Sequence, residues 1–306
     1  MRVFLTGASG FVGAAVLRQL LTPPAVDVCV LARRPADAWR IADLLPRTSV
    51  EAADIGDAAA LGRALRRFGP THLVHLAWNG VLGRRRNEPS QYVNVHQTLQ
   101  LLDLALTSGV RHFVGLGSQA EYGPCQDRID EDTPTRPTTM YGAAKLAAGL
   151  MAARLCDVSG ARFSWLRLFS SYGPGDHPEW MIPYLTRTLL QRERPSVTAA
   201  EQRWDYLYVE DVAAAVVATT RQGDARGVFN LGSGTAVPLR AIIEQIRDAI
   251  DPALPVGFGE VPYRPDQVMH LEANVDRLRG ATGWSPSTSL EEGLRATVDW
   301  YRTHDA

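Results

Sequence analysis

The chain opens on a short apolar run, Val3, Phe4 and Leu5, closed by Thr6 and a glycine-rich turn. Comparable runs, often β-branched, recur at residues 26–32, 50–55, 72–77, 112–117 and 163–169. Strands apolar on both sides are buried on both faces, as in a parallel sheet covered by helices. Residues 12–21, 58–68, 93–108 and 143–157, lying between these runs, carry helical spacing of apolar positions. The alternation predicts an α/β fold, a Rossmann-type doubly wound parallel sheet. Beyond residue 169 the pattern turns irregular, with Pro and Gly concentrated at 172–183, and further helices are expected at 239–250 and 290–301. The predicted organisation is a dinucleotide-binding domain of residues 1–170 plus about 204–234, and a smaller C-terminal substrate-binding lobe of about 171–203 plus 235–306.

Two of the helical stretches carry apolar residues on more than one face: Leu99, Leu101, Leu102 and Leu104 in one, Leu146, Leu150, Met151 and Leu155 in the other. Such helices need burial on two sides. A sheet can cover one side and a second copy the other, which predicts a homodimer built as a four-helix bundle.

Composition narrows the function classes. With 306 residues and 45% hydrophobic content the chain can bury a large core. Its formal net charge of -1 provides no basic field, so neither nucleic acid nor an acidic membrane is an expected partner. Cys29, Cys125 and Cys156 are scattered, which argues against a disulfide framework and a metal site. No apolar run is long enough to span a bilayer and no basic leader precedes the first strand, so a cytoplasmic location is expected. Of 32 basic residues, Lys145 is the one lysine. Where arginine has replaced lysine everywhere else, a retained lysine points to a place that needs a compact ammonium.

Candidate chemistry begins with the sequence TGASGFVG at 6–13. Gly7, Gly10 and Gly13, with Ser9, Phe11 and Val12 between them, connect the first strand to the first helix. Small residues let the backbone approach a pyrophosphate, and the helix N-terminus directs free N–H groups towards it. The second strand ends in Ala32, Arg33 and Arg34, with no acid to meet ribose hydroxyls. Arginine suits a 2'-phosphate, so NADP(H) is favoured over NAD(H). Asp54 and Ile55, closing the third strand, are placed to bracket the adenine.

Tyr141 and Lys145 lie one helical turn apart and share a face. A phenol exchanges protons poorly near neutrality unless a cation stabilises its ionised form. Ser118 ends the fifth strand, at the carboxyl edge where ligands bind in such sheets. The triple Arg84, Arg85 and Arg86 reads as a solvated loop and stays outside the predicted site.

These segments together resemble the extended short-chain dehydrogenases/reductases, the group that contains NAD(P)-dependent sugar epimerases, dehydratases and ketoreductases. The likeness runs through HLA at 75–77, Asn94, GSQAEYG at 117–123, YGAAK at 141–145, LRLFSSYGPG at 166–175, RWDYLYVEDVA at 203–213, FNLGSG at 229–234, YRPD at 263–266 and GWSP at 283–286. It implies that Tyr141 exchanges the proton, Lys145 holds the nicotinamide ribose and Ser118 orients the substrate oxygen. It further implies that Leu76, Ala77, Asn94 and Phe169 contact the cofactor. Arg203 and Arg264 match arginines that meet a nucleotide diphosphate, with a structural role beside Asp205 or Asp266 as the alternative. Trp78 and Ser170 fall among the substrate contacts as departures from the usual residues. Glu121 is open between contact with substrate and pairing with an arginine. The 4,6-dehydratases of the group carry an Asp-Glu pair where this chain has Gln119 and Ala120. The resemblance therefore implies NADPH-dependent reduction of a nucleotide-linked keto-deoxysugar, with a nucleotide-sugar 4-epimerase or a non-catalytic dinucleotide sensor as alternatives.

Overall fold

In the computed structural model, which describes residues 1–263 and 267–304, strands and helices alternate from the first residues onward. They are β1 (Arg2–Thr6), α1 (Phe11–Leu20), β2 (Asp27–Leu31), β3 (Ser49–Glu51), α2 (Ala58–Phe68), β4 (His72–His75), α3 (Gln91–Thr107), β5 (His112–Ser118), α4 (Met140–Ser159) and β6 (Arg162–Leu168). The second half contains β7 (Ser170–Tyr172), α5 (Met181–Leu190), β8 (Ser196–Val197), β9 (Arg203–Trp204), β10 (Tyr206–Tyr208) and α6 (Val209–Arg221). It continues with β11 (Gly227–Leu231), β12 (Val237–Pro238), α7 (Leu239–Ile250), β13 (Gly257–Phe258), β14 (His270–Leu271), α8 (Asp276–Thr282) and α9 (Leu290–His304). Seven strands form one sheet in the order β11-β6-β5-β4-β1-β2-β3, every neighbouring pair parallel. The order reverses direction between β1 and β4, which opens a crevice at their carboxyl ends.

Two apolar layers sandwich this sheet. One gathers Val16, Leu17 and Leu20 of α1 with Val212 and Val216 of α6 over Leu5, Val30 and Phe229. The other gathers Leu61 and Leu65 of α2, Leu101 and Leu102 of α3 and Ala148 and Ala152 of α4 over Phe4, Leu73 and Trp165. A third cluster, around Leu185, Ile242, Ile246 and Val298, joins α5, α7 and α9 beyond the sheet.

The predicted third strand is shorter than the pattern suggested. Only Ser49–Glu51 pair with β2, because Asp54 folds the chain back by accepting from the Gly56 N–H at 2.8 Å, and Asp57 then caps α2 through the Ala60 N–H at 2.9 Å. Conversely, α6 and β11 were not singled out as elements. Asp205 and Asp211 anchor this later chain: Asp205 accepts from the N–H groups of Ser233, Gly234 and Ala273, and Asp211 from those of Ser287 and Thr288. Among the described residues no helix is long and apolar enough to cross a membrane.

Candidate active site

The turn after β1 is built around missing side chains. Gly7 has φ 77°, and a Cβ there would lie 2.6 Å from the Ala77 nitrogen; one on Gly13 would lie 2.0 Å from the Gly7 carbonyl oxygen. Only glycine lets α1 start this close to the strand ends. Gly10 caps α1 and offers no side-chain acceptor, so the first-turn N–H groups are left without intrahelical acceptors. Such a terminus suits an anionic phosphate group.

From this turn a groove crosses the strand ends. Gly7, Ser9 and Gly10 line it with Arg33, Asp54, Ile55, Leu76, Ala77, Trp78 and Asn94. A contiguous hollow is lined by Ser9, Ala32, Arg33, Arg34, Asp37 and Asp54. In it Arg33 stands 3.9 Å from Asp54 and Arg34 3.8 Å from Asp37, all four side chains largely exposed. Pairs this long and this solvated contribute little by themselves. Phe11 and Val12 are half-buried at the start of α1 against the core, and Phe169 is buried beside Tyr122. The glycine cradle, the open helix end and the length of the groove fit a dinucleotide.

Asn94 fixes the groove's far wall. Its amide accepts from the Asn79 N–H and donates to the Asn79 carbonyl, both at 3.0 Å. Gln91, one turn earlier, accepts from the Trp78 indole at 2.9 Å and donates to the carbonyls of Gly80 and Arg85 at 2.8 and 2.9 Å. Beneath the groove a buried chain links Thr6, His75 and Thr98, His75 contacting the two hydroxyls at 2.8 and 2.9 Å. Burial, aided by the Lys145 charge, pushes the His75 imidazole down to about 3 and keeps it neutral.

At the end of the groove stand Ser118, Tyr141 and Lys145. Thr139 caps α4 by accepting from the Gly142 N–H at 3.0 Å, which sets the first helical turn and with it the direction of Tyr141. The phenol is buried, and the Ser118 hydroxyl and the Arg86 guanidinium act on it. Burial raises its pKa above the ordinary tyrosine value; Ser118 and Arg86 oppose that rise, and Glu121 adds to it. Lys145 is 4% exposed, and burial lowers its pKa to about 7. Its ammonium donates to the Leu116 carbonyl at 2.5 Å and lies 3.9 Å from the centroid of the Trp78 ring. Trp78 also meets the Tyr141 ring edge-on at 6.2 Å.

The remaining predicted residues divide. Glu121 is buried beneath the site: one oxygen accepts from the Ser118 N–H and the Trp165 indole, both at 2.9 Å, and the other from Arg167 at 2.8 Å. Of its two open roles the structure supplies the arginine partner, and its acceptors are turned into the protein. Arg203 donates to the Ala236 carbonyl at 2.7 Å, whereas the adjacent Trp204 donates its indole N–H to the Ser170 hydroxyl at 2.7 Å. Consecutive strand residues face opposite sides, so the indole and not the guanidinium meets Ser170. Asp205 is satisfied by backbone N–H groups and Ser233, so it is not the partner of Arg203. Arg264 lies outside the described residues. The solvated-loop reading of the arginine triple needs correction: Arg84 and Arg85 are exposed, but the half-buried Arg86 places its guanidinium 4.7 Å from the centroid of the Tyr141 ring. Neither Arg86 nor Trp204 was predicted to belong to the site; the period-2 alternation of 203–204 was the one available signal for the latter.

Comparison with known proteins agrees with this geometry. A family model described as "NAD dependent epimerase/dehydratase family" matches residues 3–232. A dTDP-glucose 4,6-dehydratase of Streptomyces griseus is 30% identical over 317 residues, covering 99% of this chain and 94% of that protein. The UDP-glucose 4-epimerase of Thermus thermophilus, solved with NAD, is 26% identical with a TM-score of 0.82 over 99% of this chain and 100% of that one. The UDP-glucose 4-epimerase of Thermotoga maritima, solved with UDP-glucose, shares the fold with a TM-score of 0.90 over 100% of both chains at 23% identity.

Proposed function

The chain belongs to the NAD dependent epimerase/dehydratase family of short-chain-type oxidoreductases, and we propose that it reduces the keto group of a nucleotide-linked keto-deoxysugar using NADPH. The observation that carries this reading is the end of β2: Arg33 and Arg34 line the hollow beside Ser9, and Ala32 stands where a ribose-binding acid would end the strand. A 2'-phosphate would replace the long Arg33–Asp54 and Arg34–Asp37 pairs with shorter, charge-assisted contacts. NADPH, when bound, supplies the hydride. Tyr141 then gives its phenolic proton to the carbonyl oxygen, which Ser118 has oriented by hydrogen bonding. Lys145 would hold the nicotinamide ribose, and its charge would favour the phenolate that is left behind.

Dehydration is disfavoured even though the Streptomyces griseus relative is named for it. Gln119 and Ala120 have no titratable side chain, and both carboxylate oxygens of the adjacent Glu121 are engaged by Ser118, Trp165 and Arg167. A second reading, a nucleotide-sugar 4-epimerase, is favoured by the 26% identity to the Thermus thermophilus enzyme and by the NAD it holds. Either reading includes a homodimer through α3 and α4, supported by the exposed Tyr92 on α3 and by Leu150, Met151 and Val158 on α4.

Purified protein incubated with a nucleotide-linked 4-keto-6-deoxyhexose and either NADPH or NADH separates these readings. Stoichiometric NADPH loss with alcohol formation is expected. Equal use of NADH would overturn the cofactor assignment, and isomerised nucleotide sugar without cofactor loss would establish the epimerase.

A further inference from the structure

Tyr141 has a charged neighbour that its own helix does not supply. The guanidinium of Arg86 lies 4.7 Å from the centroid of the phenol ring, and among the described residues no carboxylate pairs with it. We infer that Arg86 is a positioning residue for Tyr141, covering one face of the ring and supplying a fixed positive charge beside it while the Lys145 ammonium is engaged by the Leu116 carbonyl and the Trp78 ring. This rests on the reading of Tyr141 as the proton donor.

Three observations converge. First, the segment Gly83–Asn87 is tied to the parts it would serve: Gln91 donates to the Arg85 carbonyl at 2.9 Å, and the Asn87 side-chain oxygen accepts from the Met140 N–H at 3.2 Å in the first turn of α4. These two hydrogen bonds tie the backbone of this segment to α3 and to the turn that carries Tyr141. Secondly, the Trp78 indole meets the same ring edge-on at 6.2 Å, so the phenol has an aromatic wall as well as a cation against it. Thirdly, the ammonium of Lys145 is occupied by the Leu116 carbonyl and the Trp78 ring. Burial also lowers that lysine's pKa to about 7, so it carries only part of its charge near neutrality. A guanidinium keeps its charge throughout the working range.

The groups that face the phenol are Ser118 from β5, Glu121 from the short helical turn after it, Lys145 from α4 and Arg86. Ser118 and Arg86 favour the ionised phenol, and Glu121 opposes it. Removing Arg86 takes away a positive charge that favours the ionised phenol and leaves the opposing Glu121 in place. The phenol must then ionise at higher pH.

The test follows Tyr141 directly, in protein labelled with 13C at the tyrosine Cζ, with its resonance assigned by its absence from Tyr141→Phe. In the free protein, Arg86→Gln is expected to move the titration of that resonance to higher pH, and Arg86→Lys to restore most of the wild-type position. In turnover with NADPH, Arg86→Gln is expected to move the alkaline limb the same way and to lower kcat about tenfold, with NADPH binding unchanged. Coincident titrations in wild type and Arg86→Gln, including no titration in either, overturn the inference. So does a rise in KM for the nucleotide sugar with the pH limb unmoved, which would make Arg86 a substrate contact. If wild-type protein turns over no keto sugar, the proposed reaction fails and the resonance still decides the role of Arg86.

Discussion

At the scale of single residues, Lys145 carries the largest contradiction between stability and chemistry. It is the chain's one lysine and is almost fully buried, so the fold bears an ammonium away from water. Its folded pKa, about 7, lies below the ordinary lysine value of 10.5. Between those two values the unfolded chain binds the extra proton, so this group makes stability rise with pH across that window, and its full cost is felt below about 7. Lys145→Met is therefore expected to be more stable than wild type at pH 6, by about 2 kcal/mol, and to lose that part of the pH dependence. Urea unfolding at pH 6 and pH 9 checks this; a variant less stable at pH 6 would show that the Leu116 hydrogen bond and the Trp78 contact outweigh the desolvation. The same residue illustrates legibility. Its singularity and its place one turn after Tyr141 are local features and can be read from sequence, whereas its burial and its indole partner are not.

At the scale of elements, the strand ends and the segments just beyond them decide the chemistry. The glycine turn between β1 and α1 was legible because strand, turn and helix are consecutive and because only glycine meets the steric demand. The short helical turn after β5 carries a local capping box, Ser118 accepting from the Ala120 N–H at 3.2 Å and Glu121 from the Ser118 N–H at 2.9 Å, but what holds Glu121 inward comes from another strand. Glu121 ties that turn to Trp165 and Arg167 of β6, 44 and 46 residues later, in an ion pair whose side chains are 1% and 7% exposed. A buried arginine left without its carboxylate is costly. Glu121→Gln is thus expected to destabilise the protein by about 3–5 kcal/mol. Chemical denaturation gives the number, and a loss within about 0.5 kcal/mol of wild type would mean that Arg167 finds water or another acceptor. β3 stopped short of its apolar run for a comparable reason: the side chains of Asp54 and Asp57 captured backbone N–H groups that would otherwise have continued in extended form.

At the scale of the whole molecule, what the sheet leaves uncovered sets the next prediction. Leu101 and Leu102 of α3 are fully buried against the sheet, while Leu150, Met151 and Val158 of α4 remain 61%, 52% and 82% exposed. If a second copy covers them, Leu150→Glu with Met151→Glu should convert dimer to monomer in sedimentation at micromolar concentration, with the fold retained by circular dichroism; monomeric wild type would remove the homodimer. The sequence by itself determined the parallel sheet, the dinucleotide turn and the Tyr141–Lys145 pair, because each is written in consecutive residues whose periodicity or steric need is local. Tertiary structure alone decided that Arg86 covers Tyr141, that Glu121 turns inward to Arg167, and that Trp204 rather than Arg203 meets Ser170. Those outcomes depend on which distant elements the sheet order brings together and on which face of a two-residue strand is turned inward, and hydrophobic pattern does not encode the choice between an arginine that pairs, one that covers a ring and one that stays in solvent.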